Sequence, residues 1–507
     1  MNQQGDAMDY ETFVRGKLAP SIPTGFDPDA DWPWLFEFQR DLVAWAIRRG
    51  RAAIFANTGL GKTRMQLTWA AEVAQHTGRP VLVLAPLAVG AQTVEESKRI
   101  GISNVIHARE QTDSSAQIVV TNYERIHLFD PSAYAGVVLD ESSIIKHYTS
   151  RTLAMLLEAF NEYPYRLACS ATPAPNDWVE LGTHAEFLGV CERREMMSEF
   201  FIQNRTFTKE WRLKGHARAD FWVWVSSWGA LVRDPSDLGY ASEGYALPDL
   251  HVQDHVVDSG DAHLEAGMLF AGVQLGGLAE RRRARKATLG ARVAKAIELA
   301  NSNDEPWIVW CDLNAESEAL TEGIDGAVEV KGSDKPNEKE SRLLGFAKGQ
   351  HRVMVTKPKI AGFGLNWQHC RNVVFVGVTD SWEAYYQAVR RCWRFGQAEA
   401  VKVHVITSDL EGEVLQNLRR KDQQARELAE QLAAESSSAI RAAIIGQART
   451  RNAYQPSEEI QFPVWLESDG PSDPPNPIRF GLSFGQTINE GNDTQAMDLP
   501  AWIGGIK

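Results

Sequence analysis

The sequence contains few cysteines and no long apolar run. Five of its 507 residues are cysteines and none belongs to a CxxC pair, which argues against a disulfide framework and a zinc ribbon. The longest apolar stretch, residues 81–91, is shorter than the ~20 residues that a membrane-spanning helix needs. Residues 1–6 show neither the basic nor the apolar segment of an export signal. These features predict a cytoplasmic protein with no membrane partner.

An excess of positive charge is also missing. The 53 Lys and Arg residues are outnumbered by 66 Asp and Glu residues, which gives a net charge of −13. A generally basic nucleic-acid coat protein is therefore excluded, because the whole molecule would repel phosphate. Any contact with nucleic acid must come from local basic patches, backbone amides or helix N-termini.

Short hydrophobic runs alternate with helical patterns along two parts of the chain. Continuous apolar runs are typical of parallel strands that are buried on both faces. The alternation therefore predicts an α/β fold with two parallel-sheet lobes. The first series of predicted strands comprises 52–56, 81–85, 118–121, 137–140 and 166–170, and the second comprises 307–311, 327–330, 352–356, 373–378 and 401–406.

The stretch between the two series is helical and aromatic. Apolar residues from Phe221 to Leu231 recur at helical spacing, which favours a core-facing helix over a base-stacking platform. Residues 414–432 predict a long amphipathic helix, and the acidic, proline-rich sequence after Ala453 predicts a flexible tail. The predicted organisation is an N-terminal extension (1–30), a first lobe (31–190), a helical inter-lobe region (191–300), a second lobe (301–412), an amphipathic helix (413–450) and a flexible tail (451–507).

A glycine-rich segment with the pattern of a phosphate-binding loop lies between the first predicted strand and a helical segment. Its backbone N–H groups and the helix N-terminus would surround phosphate oxygens. Lys62 is expected to reach the β- and γ-phosphates, and the Thr63 hydroxyl is expected to bind Mg²⁺. Ala56 stands where the usual pattern has its first glycine. The nucleotide-binding residues predicted from this loop are Thr58, Gly59, Leu60, Gly61, Lys62 and Thr63.

An acidic pair, Asp140 and Glu141, ends the predicted strand 137–140. One carboxylate at such a position can hold Mg²⁺ while the other polarises the attacking water. We assign Asp140 to the metal and Glu141 to the water. A strand that ends in Asp-Glu is common, and the pair becomes informative only together with the phosphate loop, because phosphoryl transfer needs both.

With the loop and the acidic pair in place, residues 34–435 resemble a superfamily-two helicase, most of all the Swi/Snf-type DNA-dependent ATPases. The resemblance implies two tandem RecA-like lobes that use ATP and Mg²⁺ and act on double-stranded DNA. It also implies that Gln39, in Phe36-Glu-Phe-Gln39-Arg40, reads the adenine edge. Segments 85–87 and 121–124 resemble motifs that contact the nucleic-acid backbone, and 170–173 resembles a motif that couples the nucleotide site to the track. The residues concerned are Pro86, Thr121, Asn122 and Tyr123 for nucleic acid, and Ser170, Ala171 and Thr172 for coupling.

Two segments of the second lobe extend the resemblance. Residues 362–366 (Gly-Phe-Gly-Leu-Asn) resemble motif V, which implies nucleotide contacts from Gly364 and Asn366. The run from Gln387 to Gln397 resembles motif VI, which adds Gln387 to the coupling residues. By the same match, Arg391 and Arg394 are the arginine fingers. Guanidinium groups from a second lobe would stabilise charge on the transferred phosphoryl group and make hydrolysis depend on lobe closure.

The chain departs from the family pattern in two respects. Its acidic motif reads Asp-Glu-Ser-Ser where the family has Asp-Glu-Ala-His or Asp-Glu-Gly-His. The contact of the absent histidine is therefore either missing or rebuilt around Ser143. The region between the lobes is too short for the insertions of chromatin-remodelling members, and the compact layout resembles a bacterial or phage-encoded relative.

A basic run in the inter-lobe region leaves two interpretations open. On a helix, Arg281, Arg285, Arg292 and Lys295 share one face. Such a face is either an ordinary solvated surface or a patch that follows nucleic-acid phosphates. The second interpretation predicts that Arg281, Arg285 and Arg292 bind nucleic acid.

Several functions remain open on the sequence alone. The chain could be a motor that moves on duplex DNA, a helicase that separates strands of DNA or RNA, or a nucleotide-switched scaffold that recruits another enzyme. The intact set Lys62, Asp140, Glu141, Arg391 and Arg394 disfavours the scaffold. A nuclease site at Asp312 and 329–331 is disfavoured, because a helix separates two elements that such nucleases place on adjacent strands. Protein partners would bind through the C-terminal tail.

Overall fold

The computed structural model describes residues 22–29, 31–86, 89–112, 115–147, 149–174, 177–203, 211–243, 245, 247–259, 283, 285–361, 366–378 and 381–445. The predicted tail, most of the predicted N-terminal extension, Arg281 and Gly364 lie outside the described residues.

The first lobe is built on a seven-stranded parallel sheet. Its central strands are unbroken apolar runs and are buried along their whole length. A separate antiparallel hairpin is formed by β7 (Phe201–Gln203) and β8 (Trp211–Leu213). The strands of the large sheet are β1 (Arg51–Ala56), β2 (Val81–Ala85), β3 (Val105–His107), β4 (Ile118–Asn122), β5 (Gly136–Asp140), β6 (Tyr165–Ser170) and β9 (Gly229–Val232), in the order β3-β4-β2-β5-β6-β1-β9.

The carboxyl ends of β5, β6 and β1 meet at one edge of this sheet. The register pairs Asp140 with Cys169, and Phe55 with Ser170. The acidic pair, the segment 170–173 and the phosphate loop follow these three neighbouring strands. The sheet therefore brings the three predicted motifs to the edge at which open α/β sheets bind their ligands.

The helices of the first lobe cover the sheet. The second of them begins directly after Gly61, whose left-handed conformation (φ 79°) turns the chain from the phosphate loop into the helix. The fourth begins after Ser150, whose side chain accepts a hydrogen bond from the N–H of Leu153. These helices are α1 (Glu37–Arg49), α2 (Lys62–Thr77), α3 (Gly90–Arg99), α4 (Arg151–Phe160), α5 (Leu181–Phe187), α6 (Arg193–Phe200) and α7 (Arg218–Ser226).

The second lobe repeats this design with a six-stranded parallel sheet. Its strands are β10 (Leu250–Val257), β11 (Trp307–Trp310), β12 (Ala327–Glu329), β13 (Val353–Thr356), β14 (Asn372–Val376) and β15 (Val401–Ser408), in the order β10-β15-β14-β11-β13-β12. Its helices are α8 (Leu289–Ala300), α9 (Asn314–Gly323), α10 (Pro336–Ala347), α11 (Pro358–Ala361), α12 (Trp382–Val389) and α13 (Gly412–Ile445).

The long helix α13 connects the two lobes. Near its start, Val414 and Leu418 are buried in the core of the second lobe. Near its end, Ile440 and Ile444 are buried in the core of the first lobe. Its 34 residues span about 51 Å at 1.5 Å per residue. Among the described residues, neither α13 nor any other helix is long and apolar enough to cross a bilayer.

The prediction of a separate helical region over 191–300 needs correction. Strand β9 joins the first sheet, and β10 together with α8 belongs to the second lobe. Both strands are short or partly polar, so their apolar runs were too weak to stand out. The prediction that the aromatic stretch faces a core is confirmed, since Phe221 and Trp228 are fully buried. The alternative interpretation, in which these aromatic residues form a platform that stacks on bases, is therefore wrong.

Candidate nucleotide site between the two lobes

The phosphate loop is shaped by two glycines with positive φ. Gly59 has φ +94° and Gly61 has φ +79°, a region that side chains strongly disfavour. A Cβ atom on Gly59 would lie 2.6 Å from the Cβ of Phe395, which belongs to the second lobe. A Cβ atom on Gly61 would lie 2.3 Å from Nε2 of Gln39. The loop therefore needs glycine at both positions, and it touches the predicted finger segment.

Lys62 is held against the loop that it is predicted to serve. Its Nζ donates to the carbonyl oxygens of Ala56 at 2.9 Å and Asn57 at 3.4 Å. Burial lowers the pKa of Lys62, while the negative charges of Glu141 and Asp140 act to raise it. The ammonium group thus lies in the field of the acidic pair, in the position from which it would contact phosphate oxygens.

Asp140 is oriented by two residues that the sequence did not reveal as partners. The Nε2 of Gln66 donates to Oδ1 of Asp140 at 2.8 Å, and the hydroxyl of Tyr123 donates to its backbone carbonyl at 2.7 Å. Burial and the neighbouring Glu141 raise the pKa of Asp140 to about 6. The ionised form of Asp140 is therefore disfavoured when no cation is near. A bound cation would favour that ionised form, so this carboxylate is suited to hold one.

Glu141 has a strained backbone and an unused carboxylate oxygen. Its φ of +54° is one of two positive values among the described non-glycine residues. Its Oε2 is buried and has no hydrogen-bond partner within the described part of the chain. Strain of this kind persists where the surroundings hold a side chain in a functional position. The free oxygen is available to a water or a ligand.

A histidine from another element supports the acidic motif. His184, on α5, lies 3.1 Å from the Oγ of Ser142 through its Nε2 and is fully buried. Burial lowers the pKa of His184 to about 4, so the ring is neutral near pH 7. The histidine contact of this motif is thus made by Ser142, and a compensating role for Ser143 stays a prediction. No sequence spacing links His184 to residues 140–143, which explains why it was missed.

The predicted fingers lie at the same interface. Arg394 lines a cavity of about 350 Å³ together with Gly59, Gly61 and Thr63 of the first lobe. Arg391 is buried and donates from Nε to the carbonyl of Gln387 and from Nη2 to its Oε1, both at 3.0 Å. The structure therefore brings Arg394 into the loop cavity, while Arg391 braces the segment behind it.

Charge links these arginines to the first lobe. Burial and the neighbouring Arg391 lower the pKa of Arg394 to about 10, and Glu141 acts against this shift. Burial also lowers the pKa of Arg391, again opposed most strongly by Glu141. The negative charge of Glu141, in the first lobe, therefore stabilises the charged form of both guanidinium groups.

A side-chain hydrogen bond joins two of the predicted coupling residues. Gln387 Nε2 donates to the Oγ1 of Thr172 at 3.1 Å across the interface. Ser170 is buried beneath this contact, and its Oγ accepts from the N–H of Thr172 at 3.0 Å. Ala171 lines a different inter-lobe cavity. The segment after β6 is therefore in direct contact with the helix that leads to the fingers.

Of the remaining residues predicted to bind the nucleotide, some line the loop cavity and others do not. Gln39 and Asn366 line it, and Leu60 is buried beneath it. The amide of Gln39 is engaged at both ends, since Oε1 accepts from the N–H of Phe36 at 3.0 Å and Nε2 donates to the carbonyl of Leu60 at 2.9 Å. The N–H of Thr58 is accepted by Oδ1 of Asn57 at 2.8 Å. Adenine recognition by Gln39 stays a prediction.

The site fits a nucleotide triphosphate with Mg²⁺. The glycine loop leaves a cradle that a single Cβ would fill, and Glu141 offers an unpartnered buried oxygen. Mg²⁺ in phosphoryl-transfer sites needs only one or two protein oxygens, because phosphates and water complete its shell. Thr63 and Asp140 would supply those oxygens. This explains why no cluster of three metal-ligating side chains is present among the described residues.

A second cleft between the lobes carries the predicted nucleic-acid residues. Its volume is about 530 Å³, and Pro86, Asn122 and Tyr123 line it. Thr121 does not line it and is 1% exposed, so its predicted contact with nucleic acid is wrong. Tyr123 is buried and uses its hydroxyl on Asp140. The basic residues of this cleft, which the sequence did not single out, are Arg109, Arg125, Lys146, Lys339 and Lys359.

The prediction that Arg285 and Arg292 bind nucleic acid is contradicted. Arg285 donates from Nε to Glu411 and from Nη1 to Asp312, both at 2.9 Å. Arg292 is fully buried and donates from Nη1 to Glu316 at 2.7 Å. Both guanidinium groups neutralise carboxylates of their own lobe, so neither faces solvent.

The fold and the site define a nucleotide-hydrolysing enzyme with a phosphate loop in one α/β lobe and arginines in another. Residues 36–180 match the family model described as DEAD/DEAH box helicase, and residues 291–396 match the Helicase conserved C-terminal domain. The chain therefore contains both conserved parts of a helicase-type motor and is a nucleic-acid-dependent ATPase.

Comparison with other proteins adds two facts. The solved Sulfolobus solfataricus SWI2/SNF2 ATPase core in complex with dsDNA is 17% identical to this chain, with a TM-score of 0.37. The alignment covers 83% of this chain and 96% of that one. No curated protein sequence matches the chain significantly.

Proposed function

We propose that the chain is an ATP-driven motor that couples Mg-ATP hydrolysis to movement along double-stranded DNA. The observation that carries the proposal is the shared cavity in which Arg394 of the second lobe meets Gly59, Gly61 and Thr63 of the first. A site assembled from two lobes turns over only when the lobes meet, so hydrolysis responds to whatever holds them together.

Each residue has a distinct role in the proposed reaction. Lys62 binds the β- and γ-phosphate oxygens. Thr63 and Asp140 would hold Mg²⁺, which would supply charge neutralisation. Glu141 orients and polarises the attacking water through its free oxygen. Arg394 meets the charge that develops on the transferred group, and Arg391, the other predicted finger, holds the Gln387 segment behind it.

Two connections would carry lobe movement to the reacting groups. The hydrogen bond from Gln387 to Thr172 joins the finger helix to the segment after β6. Helix α5 follows that segment and positions Ser142 through His184. A shift of the second lobe would therefore reach both the fingers and the backbone next to Glu141.

The DNA track is assigned to the basic cleft. An acidic protein must concentrate positive charge where it meets phosphate, and five cationic side chains line this cleft beside four glutamates, Glu124, Glu141, Glu340 and Glu383. Lys146 is paired with Glu383 across it, whereas Lys359 is exposed. The motif residues Pro86 and Asn122 lie on the same wall.

The assignments of Lys62 and Glu141 are each tested by one substitution. Lys62→Ala should weaken ATP binding, and Glu141→Gln should leave binding intact while turnover falls by about 10²–10⁴, the usual contribution of a general base. Both are measured as nucleotide affinity and steady-state hydrolysis with duplex DNA. Wild-type hydrolysis by Glu141→Gln would show that this carboxylate has another role.

Translocation is favoured over strand separation. Opening each base-pair step forfeits about 1.4 kcal/mol of stacking, so a helicase needs a wedge between the strands. The aromatic stretch that could have supplied one is buried in the first lobe at Trp222, Trp224 and Trp228. We expect the protein to displace a third strand or a bound protein from duplex DNA without unwinding a tailed duplex. Efficient unwinding without triplex displacement would favour the helicase alternative.

A bacterial or phage origin, a cytoplasmic location and protein partners bound through the tail remain predictions from the sequence. The nucleotide-switched scaffold is disfavoured by the same set of reacting residues. A scaffold would have no need for fingers that reach the loop cavity.

A further inference from the structure

A third cavity lies between the lobes, and neither the nucleotide site nor the basic cleft includes it. Its volume is about 520 Å³, within the range of small-molecule sites. Aromatic side chains dominate the wall formed by the second lobe, and the ends of β1 and β9 form part of the first-lobe wall. We call it the aromatic cavity, and the aromatic rings that define it are Phe55, Trp178, Trp382, Tyr385, Tyr386 and Trp393.

Arg390 brings a guanidinium group with two unpartnered nitrogens into this cavity, as far as the described residues extend. The side chain is 6% exposed, and its Nε and Nη1 have no hydrogen-bond partner within the described part of the chain. Its guanidinium lies 4.3 Å from the ring centroid of Trp393 and 5.0 Å from that of Tyr386. The two rings hold the group in place but accept no conventional hydrogen bond from it. A buried charge without hydrogen-bond partners costs folding free energy unless an anion pairs with it.

The acidic residues that line the cavity are already engaged. Asp422 accepts a hydrogen bond from Nε1 of Trp382 at 2.9 Å. Asp254 forms an ion pair with Arg419, although its Oδ1 is buried and unpartnered. The cavity therefore offers two unpartnered donor groups on Arg390 and one unpartnered acceptor on Asp254.

We propose that the aromatic cavity binds a small planar anion, an aromatic ring system that carries a carboxylate or a sulfonate. The anionic group would accept from Nε and Nη1 of Arg390 in a charge-assisted pair. The ring system would pack among the aromatic side chains. A hydroxyl or amino substituent on the ligand would donate to Asp254.

Such a ligand would contact both lobes. Asn57, at the start of the phosphate loop, lines the cavity and accepts a hydrogen bond from the hydroxyl of Tyr386 at 3.2 Å. Thr172 lines it as well. Because an occupant adds contacts only in this arrangement of the lobes, it shifts the lobe equilibrium and with it the rate of ATP hydrolysis.

The proposal is tested by calorimetry with two probes of the same shape, 2-naphthoate and the neutral 2-naphthylmethanol. The full-length protein should bind one naphthoate at least 10-fold more tightly than the alcohol, and a saturating ATP analogue should not compete. Arg390→Met should abolish this preference while leaving the alcohol affinity unchanged. Arg390→Lys should retain part of it. Arg420→Met, at an exposed arginine of α13 outside the cavity, is the matched control and should bind like wild type.

Removing an unpaired buried charge should leave the fold intact, and a thermal melt of each variant verifies this. Three results would overturn the proposal: no saturable binding by the wild type, an undiminished preference for naphthoate in Arg390→Met, or displacement by the ATP analogue. If Arg390→Met does not fold, the comparison of wild type with Arg390→Lys and Arg420→Met decides. Equal preference for naphthoate in all three would then count against a role for Arg390.

Discussion

Two pairs of arginines in the second lobe differ in where their counter-charges lie. Arg285 and Arg292 bind the carboxylates of Asp312, Glu316 and Glu411, all within the same lobe. Arg391 and Arg394 lie at the inter-lobe surface, where Glu141 of the first lobe acts on them. The first pair holds one lobe together, and the second can act only when two lobes meet.

This difference explains why the basic run in the sequence led to the wrong prediction that Arg285 and Arg292 bind nucleic acid. Charge spacing shows that residues such as Arg285 and Arg292 share a helix face, but it does not show whether carboxylates cover that face. Burial and pairing separate a structural arginine from one that waits for a ligand. The two pairs should therefore respond to substitution in opposite ways, one in stability and the other in turnover.

The largest effect is expected at the inter-lobe pair. Arg394→Ala should lower kcat for ATP hydrolysis by about 10³–10⁵, the contribution of an arginine finger to the transition state. ATP affinity and thermal stability should change little, because the ground state does not depend on this contact. Steady-state hydrolysis and nucleotide titration check this, with the exposed Arg420→Ala as control. A loss of stability with normal turnover would show that Arg394, like Arg285 and Arg292, stabilises the fold and does not act in hydrolysis.

Substitution of the intra-lobe pair should produce the reverse pattern. Arg292→Met leaves Glu316 and Glu411 without a full charge partner, and breaking a buried ion pair costs about 3–5 kcal/mol of unfolding free energy. Lys295→Met, on the same helix, removes a surface pair with Glu298 and should cost less than about 1 kcal/mol. Denaturant unfolding measures both. If the two variants are equally stable, the buried network does not hold the lobe together.

The first lobe offers a buried titratable group whose pKa is lowered by burial and on which hydrogen bonds, not a charged neighbour, act in the opposite direction. His184 has a pKa of about 4 in the folded state and an ordinary value of 6.5 when unfolded. The unfolded chain therefore binds the extra proton first, and the stability that His184 contributes above pH 6.5 is lost as pH falls towards 4. The shift corresponds to roughly 3 kcal/mol. Wild type should lose more stability over this interval than His184→Asn. Parallel pH profiles would contradict a neutral, buried His184.

The smallest effect is expected in the basic cleft. Lys359→Gln and Lys339→Gln should each reduce the slope of log affinity for duplex DNA against log salt by about 1, the value for one phosphate contact. Lys348→Gln, which does not line the cleft, should leave the slope unchanged. Filter binding or anisotropy over a salt series provides the slopes.

The sequence predicted much of the fold and part of the site. Apolar runs located the strands buried on both faces, and the motif order placed Lys62, Asp140 and Arg394 in one site. It could not locate β3, β9 or β10, because a three-residue strand, a four-residue strand and a partly exposed edge strand carry weak patterns. These strands acquire their conformation from the neighbours with which they pair.

Contacts between distant elements were beyond the reach of the sequence. Gln66 on Asp140, His184 on Ser142 and Arg292 on Glu316 join residues that are 74, 42 and 24 positions apart. No periodicity or motif specifies such pairs, because tertiary packing alone brings them together. Arg390 stood within the motif that was recognised, next to Arg391, and both side chains are buried. Only hydrogen bonding distinguishes them, because Arg391 donates to Gln387 whereas Nε and Nη1 of Arg390 have no partner within the described part of the chain.

The central claim is that hydrolysis depends on nucleic acid because two lobes must meet across the nucleotide. The most direct test is steady-state ATP hydrolysis by the wild type, titrated at one salt concentration with duplex DNA, single-stranded DNA and RNA of equal length. The account predicts slow hydrolysis without nucleic acid and the strongest stimulation by duplex DNA. Equal rates with and without nucleic acid, or stimulation by RNA above that by duplex DNA, would contradict it.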